Sequence, residues 1–177
     1  MPTIRPARQD DLEAIASLHV SSWQSAYRGI LPDVVLDSLN AADRLRDWMR
    51  WLAVPEANTY AALKGRKLVG FARVLPADLE YDPPPLSAEI SHLYVAPDSQ
   101  SMGVGRALLA RSFEDIAARG LERAVLWVLE KNYRARAFYE RAGFRLDGAR
   151  RTDPERLGHE TPEVRYQMSL ADAGRRR

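Results

Sequence analysis

The sequence predicts a single α/β (α+β) domain in which a mixed, mostly antiparallel sheet of about seven strands carries helices on both faces. Two observations support this class. The strand-like and helix-like segments follow the order β-α-α-β-β-β-α-β-α-β-β, which departs from the strict alternation of a parallel sheet. The chain has 177 residues, of which 46% are hydrophobic and 28% are charged, and this length and composition suit one folded domain.

The first third of the chain predicts one strand and two helices. Residues 3–5 form a short strand that ends at Pro6. Apolar side chains then recur at helical spacing over residues 12–23, which predicts a first helix with one buried face. Asn40 is a suitable N-cap for a second helix, and Pro55 closes that helix.

The middle of the chain predicts a hairpin, a loop and a strand followed by a helix. The hairpin joins residues 59–63 to residues 68–75. Four prolines fall within residues 76–87, so this segment is expected to be an irregular loop, either mobile or at the rim of a site. A strand at residues 89–95 and a helix at residues 103–119 follow it.

The last third predicts the remaining three strands and one short helix. Residues 124–129 are apolar on both faces, which is typical of a central buried strand. Apolar positions at helical spacing predict a helix over residues 135–142, ended by Gly143. Residues 144–146 and 164–170 complete the predicted sheet.

The domain is expected to extend over residues 1–172, with a disordered basic tail at residues 173–177. The formal net charge is only +2, and no basic stripe with interleaved aromatic residues is present, so nucleic acid is not an expected partner. No apolar run reaches membrane length and no signal segment is present, so we expect a cytoplasmic protein that does not bind membranes.

Residue types also restrict the chemistry. The chain has no cysteine, which excludes disulfides, thiolate metal sites and a cysteine nucleophile. The three histidines are scattered, and no cluster of histidine and acidic residues has metal-ligand spacing, so no metal is expected.

The most informative stretch runs from Val95 to Arg106, where a strand end and a turn lead to two closely spaced glycines, Gly103 and Gly105, that open a helix. Glycine permits a positive φ and leaves room for a phosphate near the backbone. Bare N–H groups at the positive end of a helix dipole bind pyrophosphate. We therefore expect a phosphorylated cosubstrate.

Three interpretations of this turn compete. A nucleoside-triphosphate loop needs a lysine and a hydroxyl residue after the glycines, and neither is present. A dinucleotide-binding turn needs a third glycine where Leu108 stands, although Glu130 could bind a ribose. The third interpretation is a glycine-rich helix entry with no ligand, and an isolated glycine pair would favour it.

A second motif, about thirty residues further on, accompanies the glycines. The two motifs are Gln100-x-x-Gly103-x-Gly105 and Asn132-x-x-Ala135-x-x-Phe138-Tyr139-x-x-x-Gly143-Phe144. Together they resemble the motifs of the GNAT superfamily of N-acetyltransferases. The resemblance covers nearly the whole domain. It implies a sheet that splays between strands 4 and 5. It also implies direct transfer of an acetyl group from acetyl-coenzyme A to a primary amine in a ternary complex, with no acyl-enzyme.

The resemblance also implies where acetyl-coenzyme A binds. The main chain of Leu93 and Val95 is expected to bond the pantetheine arm, with the Leu93 N–H aimed at the thioester oxygen. The amides from Ser101 to Arg106 are expected to hold the pyrophosphate, and Asn132 to contact the pantetheine arm or cap its helix. The implied cofactor-binding residues are Leu93, Tyr94, Val95, Gln100, Ser101, Met102, Gly103, Val104, Gly105, Arg106, Asn132, Ala135, Phe138 and Tyr139.

By the same resemblance, Tyr139 is the general acid that protonates the leaving thiolate, because a phenol stays protonated at neutral pH. A packed core tyrosine is the alternative. Glu89 is the candidate general base, or else a strand-end carboxylate that lends only negative potential. Strand alternation predicts that Glu89 shares a face with Leu93 and Val95, opposite His92.

The acceptor and its site are less closely defined. Trp23 and Tyr27 lie in the region that shapes the acceptor pocket in the family, although core packing also explains Trp23. The acceptor can be a small-molecule amine or a peptide amine. Whether the chain forms a homodimer is also left open. A non-catalytic acyl-coenzyme A sensor is the competing function, because it would need the motif glycines but neither Tyr139 nor Glu89.

Overall fold

The computed structural model describes residues 2–152 and 160–174. Its strands, numbered β1 to β7 in chain order, are Thr3–Pro6, Asn58–Lys64, Lys67–Pro76, Ser87–Val95, Arg123–Leu129, Arg145–Thr152 and Pro162–Ser169. Its helices, numbered α1 to α6 in chain order, are Leu12–Ala26, Asp33–Ser38, Ala41–Leu52, Val104–Ala118, Tyr133–Ala142 and Leu170–Gly174. Short 3-10 turns occupy Gln9–Asp11, Leu79–Tyr81 and Pro97–Ser99. The predicted fold class is confirmed.

The seven strands form one sheet in the order β1-β2-β3-β4-β5-β7-β6. Every neighbouring pair is antiparallel except β4 and β5, which run parallel. Three residue pairs join β4 to β5, and the last of them is Glu89 with Val125. Among the described residues no further pair joins these strands, so the sheet forks beyond Glu89, as predicted.

Helices cover both faces of the sheet. Leu108 and Ile116 of α4 pack with Ile90 and Leu126 of the sheet in the larger core cluster. On the other face, Trp48 of α3 packs with the side chains of α1 and with β3 in a second cluster. Each face of the sheet is therefore shielded from water, and burial of these apolar side chains is the main stabilising term.

The structure differs from the predicted elements in two places. Residues 33–38 form the short helix α2, although two β-branched valines lower the helix propensity of this segment. Strand β6 extends over Arg145–Thr152 and not only residues 144–146. It is an edge strand whose exposed alternate residues are Leu146, Gly148, Arg150 and Thr152, and whose half-buried residues include Asp147 and Arg151, so apolar alternation does not mark it.

The C-terminal segment ends in helix α6, Leu170–Gly174. The predicted last strand therefore stops one residue early, because Leu170 belongs to this helix. Ala173 packs against the larger core cluster, so the predicted tail at residues 173–177 begins inside a helix. The three arginines at 175–177 lie outside the described residues.

Candidate active site

A cavity of about 550 Å³ lies where β4 and β5 separate. Its walls come from the end of α1, the forked ends of β4 and β5, the entry of α4, helix α5 and the start of β7. Twelve of the fourteen predicted cofactor-binding residues line it: Leu93, Tyr94, Val95, Gln100, Ser101, Gly103, Gly105, Arg106, Asn132, Ala135, Phe138 and Tyr139. Met102 and Val104 are not among the lining residues. The two motifs therefore meet at one cavity.

The entry of α4 has the backbone that an anion site requires. Gly103 is the N-cap with φ of +82°, and Ser101 has φ of +63°. A Cβ at Gly103 would meet nothing within 4 Å, so glycine is needed there for its φ and not for lack of space. A left-handed serine costs of order 1–3 kcal/mol, and such strain often marks a ligand-binding turn.

Glycine is required at position 105 for a different reason from the one that the sequence suggested. Its φ is not positive, and a Cβ there would lie 3.0 Å from Cζ of Phe138. Gly105 therefore lets the Phe138 ring, and with it helix α5, approach α4. The expectation that this glycine makes room for the phosphate is corrected to a role in helix packing.

Arginines surround the helix entry. The Arg134 guanidinium donates a hydrogen bond to Oε1 of Gln100, and the Gln100 amide donates to the Val95 carbonyl oxygen at 3.4 Å. Arg106, Arg134 and Arg141 are exposed and line the cavity. The sequence reasoning missed Arg134 and Arg141, although their spacing of seven residues places both on one face of α5.

Asn132 and Tyr139 hold the α5 side of the cavity. Oδ1 of Asn132 accepts a hydrogen bond from the Ala135 amide at 3.1 Å, so Asn132 caps α5 while lining the cavity. The Tyr139 ring packs edge-on against Phe138 and Phe144, with centroids 5.3 and 5.7 Å apart. Burial, and secondarily the Tyr94 hydroxyl, raises the pKa of Tyr139 well above its ordinary value. The phenol is therefore protonated throughout the neutral range.

A β-bulge in β4 changes which side chains share a face. Arg73 of β3 pairs with His92 and Val74 pairs with Ile90, so Ser91 is an extra residue. Directly paired residues share a face, which places Glu89 and His92 together, on the α1 and α3 side. The predicted placement of His92 opposite Glu89 is therefore wrong.

The prediction that Glu89 shares a face with Leu93 and Val95 is wrong for the same reason. Beyond the bulge, Leu93 and Val95 pack toward the larger core cluster with Ile90, so they lie on the opposite face from Glu89. A single extra residue reverses the alternation of every side chain that follows it.

Glu89 itself is buried, 6% exposed, and is not among the residues that line the cavity. It interacts electrostatically with Arg73 on β3. Burial lowers the pKa of Arg73, and the negative charge of Glu89 raises it. Arg73 also donates a hydrogen bond to the Trp51 carbonyl oxygen at 3.1 Å. This environment is that of a structural charge pair between the sheet and α3.

The two predicted acceptor-site aromatics differ in position. Tyr27 lines the cavity, whereas Trp23 is 5% exposed and does not. Trp23 Nε1 donates to the Tyr94 hydroxyl at 2.8 Å, and the Tyr27 and Tyr94 hydroxyls lie 3.2 Å apart. Trp23 thus contacts the site through Tyr94, which lines the cavity.

Two further lining residues, Trp127 and Glu163, were absent from the sequence interpretation. The Glu163 carboxylate accepts a hydrogen bond from Arg151 Nε at 2.7 Å. No local motif marks these residues, because the register of β5, β6 and β7 brings them together.

Comparison with known proteins agrees with this geometry. The sequence model of the acetyltransferase (GNAT) family matches residues 12–144. The chain therefore belongs to this family. It is an acyltransferase that depends on acetyl-coenzyme A, as the sequence predicted.

The relatives are N-acetyltransferases. A probable N-acetyltransferase of Mycobacterium tuberculosis is 28% identical over 93% of this chain and 92% of its own length. An uncharacterized N-acetyltransferase of Bacillus subtilis is 32% identical over 75% of this chain and 74% of its own. The PaiA N-acetyltransferase of Thermoplasma acidophilum, solved in complex with coenzyme A, has a similar fold, with a TM-score of 0.74 at 20% identity over 96% of this chain and 99% of its own.

Within the described ranges, none of the helices has the length and apolar character needed to span a bilayer.

Proposed function

We propose that this protein transfers an acetyl group from acetyl-coenzyme A to a small primary amine by direct attack, without an acyl-enzyme. The observation that carries the proposal is the cavity itself. It connects an arginine-flanked helix entry to a fork in the sheet, and a partly buried, protonated phenol lies in its wall. Acetyl-coenzyme A supplies the acetyl thioester.

The residues present fit coenzyme A. The amides from Ser101 to Arg106 face an open turn with two left-handed residues, which suits a pyrophosphate. The edge of β4 beyond Glu89 has lost β5 as a partner, and such backbone groups must find hydrogen bonds elsewhere. The amides of the pantetheine arm are suitable partners for Leu93 and Val95.

The reaction requires stabilisation of negative charge on two atoms, the thioester oxygen and the departing sulfur. In our proposal the Leu93 N–H donates to the thioester oxygen as negative charge develops there. Tyr139 is protonated at neutral pH and gives this proton to the departing sulfur. Glu89 as general base stays a prediction from sequence, and its burial away from the cavity lining argues against it.

The acceptor must share the cavity of about 550 Å³ with the acetyl-bearing arm of coenzyme A, and this limited space favours a small acceptor. Among proteins similar to this chain are a mycothiol acetyltransferase of Beutenbergia cavernae, 45% identical over 35% of this chain, and a spermidine/spermine N-acetyltransferase of Vibrio cholerae, with a TM-score of 0.69. A ribosomal-protein-alanine N-acetyltransferase of Brucella melitensis is equally similar in fold, with a TM-score of 0.71, so the preference for a small acceptor rests on the cavity and not on the names.

The test measures thiol release from acetyl-coenzyme A with a panel of primary alkylamines. Tyr139→Phe is expected to lower kcat about 100-fold, while the Kd for coenzyme A, measured by calorimetry, changes less than about 3-fold. Tyr133→Phe is the matched control, because Tyr133 is 71% exposed and does not line the cavity. Absence of amine-dependent thiol release, or equal activity of the two variants, would contradict the proposal.

A further inference from the structure

The charged residues that line the cavity are unevenly distributed over its walls. Its described lining contains three guanidinium groups, those of Arg106, Arg134 and Arg141, which lie around α4 and α5. Its described lining contains one carboxylate, that of Glu163, on β7. Phosphates are attracted to the arginines, and a cation is attracted to the carboxylate. A cationic acceptor amine therefore has one anionic partner within the described wall.

The register of the sheet places this carboxylate on the open side of the fork. Glu163 pairs with Leu129 of β5, whereas Glu89 pairs with Val125, the last rung before the strands separate. Four residues of β5 correspond to about 13 Å. Glu89 thus lies at the root of the fork. Glu163 lies beyond the root, across β5 from the part of β4 that carries Leu93.

Neighbouring side chains hold the Glu163 carboxylate in one orientation. The Arg151 and Glu163 side chains are only 6% and 2% exposed, and Nε of Arg151 donates to Oε2 of Glu163 at 2.7 Å. The Arg151 guanidinium carbon lies 4.4 Å from the centroid of the Trp127 ring, which itself lines the cavity. An ion pair stacked on an aromatic wall is a rigid support for a group that must meet a ligand.

Other charged groups of this region have partners of their own. Arg165 Nε donates to Asp147 at 2.6 Å, and its other nitrogens donate to the carbonyl oxygens of Tyr81 and Asp82. Tyr27, the C-cap residue of α1, lines the cavity, and its hydroxyl lies 3.2 Å from that of Tyr94. Through its bonds to Tyr81 and Asp82, Arg165 also holds the proline-rich loop beside Trp127. The ring centroids of Tyr81 and Trp127 lie 5.3 Å apart.

We propose that Glu163, rather than Glu89, binds the ammonium form of the acceptor and takes up the proton that must leave before the nitrogen can attack. This inference rests on the proposed acetyl transfer. The acceptor nitrogen bonds to the acetyl carbon as the carbon–sulfur bond breaks. The ammonium loses two protons: one passes to Glu163 and on to solvent, and the other ends on the sulfur by way of Tyr139.

Glu89 has a structural role outside the cavity. It is the countercharge of Arg73, which burial would otherwise leave as an isolated cation beneath α3. Its face of β4 carries His92 and Tyr94, which pack against the ring of His19 with centroids 5.2 and 5.0 Å away. Removal of its charge should therefore change stability and not the choice of acceptor.

The test compares Glu163→Gln with Glu89→Gln, since both substitutions remove a charge and keep the shape of the side chain. Two acceptors are used: the alkylamine of the panel with the highest turnover, and methoxyamine, a weakly basic nucleophile that is uncharged at neutral pH. Glu163→Gln is expected to lower kcat/KM for the alkylamine about 100-fold and that for methoxyamine less than about 3-fold. Glu89→Gln should show no such selectivity.

Two further measurements separate chemistry from folding. The Kd for coenzyme A should be unchanged in Glu163→Gln, because the pyrophosphate is proposed to bind at the entry of α4, whereas Glu163 belongs to β7. If this variant does not fold, the double variant Arg151→Met with Glu163→Gln removes both buried charges together, and such pairs are usually replaced with little loss of stability. It should show the same selective loss.

The outcomes are distinct. If the wild type releases no thiol with any amine, the proposed function and this inference both fail. If the wild type is active, the inference alone is overturned by any of three results: alkylamine turnover within about 3-fold of wild type in Glu163→Gln, an equal loss for both acceptors, or a selective loss in Glu89→Gln.

Discussion

Gly105→Ala is expected to destabilise the protein although alanine is the better helix former. A Cβ at Gly105 would lie 3.0 Å from Cζ and 3.3 Å from Cε2 of Phe138, inside the ordinary carbon–carbon contact of about 3.5–4.0 Å. Overpacking of this kind costs about 1–3 kcal/mol, and the gain in helix propensity is at most about 1 kcal/mol. The free energy of unfolding should therefore fall by about 1 kcal/mol.

This loss is measurable in two assays. For a chain of 177 residues, 1 kcal/mol lowers Tm by about 2–4 °C. Because Phe138 and Asn132 both line the cavity, displacement of α5 should also raise the Kd for coenzyme A, by about 5-fold per 1 kcal/mol. Gly103→Ala is the matched control, since a Cβ there meets nothing within 4 Å and the cost comes from a φ of +82°.

Phe138→Leu provides the decisive comparison. If the ring of Phe138 is what Gly105 accommodates, the double variant Gly105→Ala with Phe138→Leu should lose less stability than the sum of its single changes, with a coupling of about 1 kcal/mol. Gly103→Ala combined with Phe138→Leu should be additive. Additivity in the Gly105 pair, or an unchanged Tm and Kd in Gly105→Ala, would refute the reasoning.

Two further predictions concern pH. Burial raises the pKa of Tyr139, so its contribution to stability is complete below the ordinary tyrosine pKa of about 10 and is lost as the pH rises toward the raised value. Urea unfolding between pH 8 and about 11 should show a steeper loss in wild type than in Tyr139→Phe. The hydrogen bond from Arg5 holds the pKa of Asp11 below its ordinary value, so its contribution is present above about pH 4 and lost as the pH falls through the lowered pKa. Asp11→Asn should cost about 1 kcal/mol at pH 7 and flatten the acid limb; equal acid limbs would contradict this.

The parts of the site that lie where the sequence predicted are those built from local geometry. The entry of α4 follows from a turn with Gly103 within a few residues of a strand end, and the cap at Asn132 follows from the adjoining helix. Tyr139 is identified through the family resemblance, and its spacing of four residues from Ala135 places both on one face of α5, where both line the cavity. Each of these positions depends on residues close together in the chain, so local spacing predicts the position, whereas the role of Tyr139 stays a proposal.

The parts that the sequence did not predict depend on pairing between distant strands. The bulge at Ser91 exists because β3 and β4 pair with one residue left over, and β4 alone gives no sign of it. The meeting of Glu163 with Arg151 depends on the register of β6 against β7. Simple alternation along β4 therefore predicted that Glu89 shares a face with Leu93 and Val95, and the bulge places it on the opposite face. Composition could not distinguish Glu163 from an ordinary strand residue.

The three rungs between β4 and β5 are also the join between two smaller sheets, one of four strands and one of three. Any molecule that lies in the fork and bonds to both arms lengthens this join. By thermodynamic linkage, a molecule that binds there only in the folded state stabilises the whole domain, by an amount that grows with its concentration relative to its Kd. The stability of the sheet is in this way tied to occupancy of the fork, since the ligand bridges the two sheets where only three rungs join them.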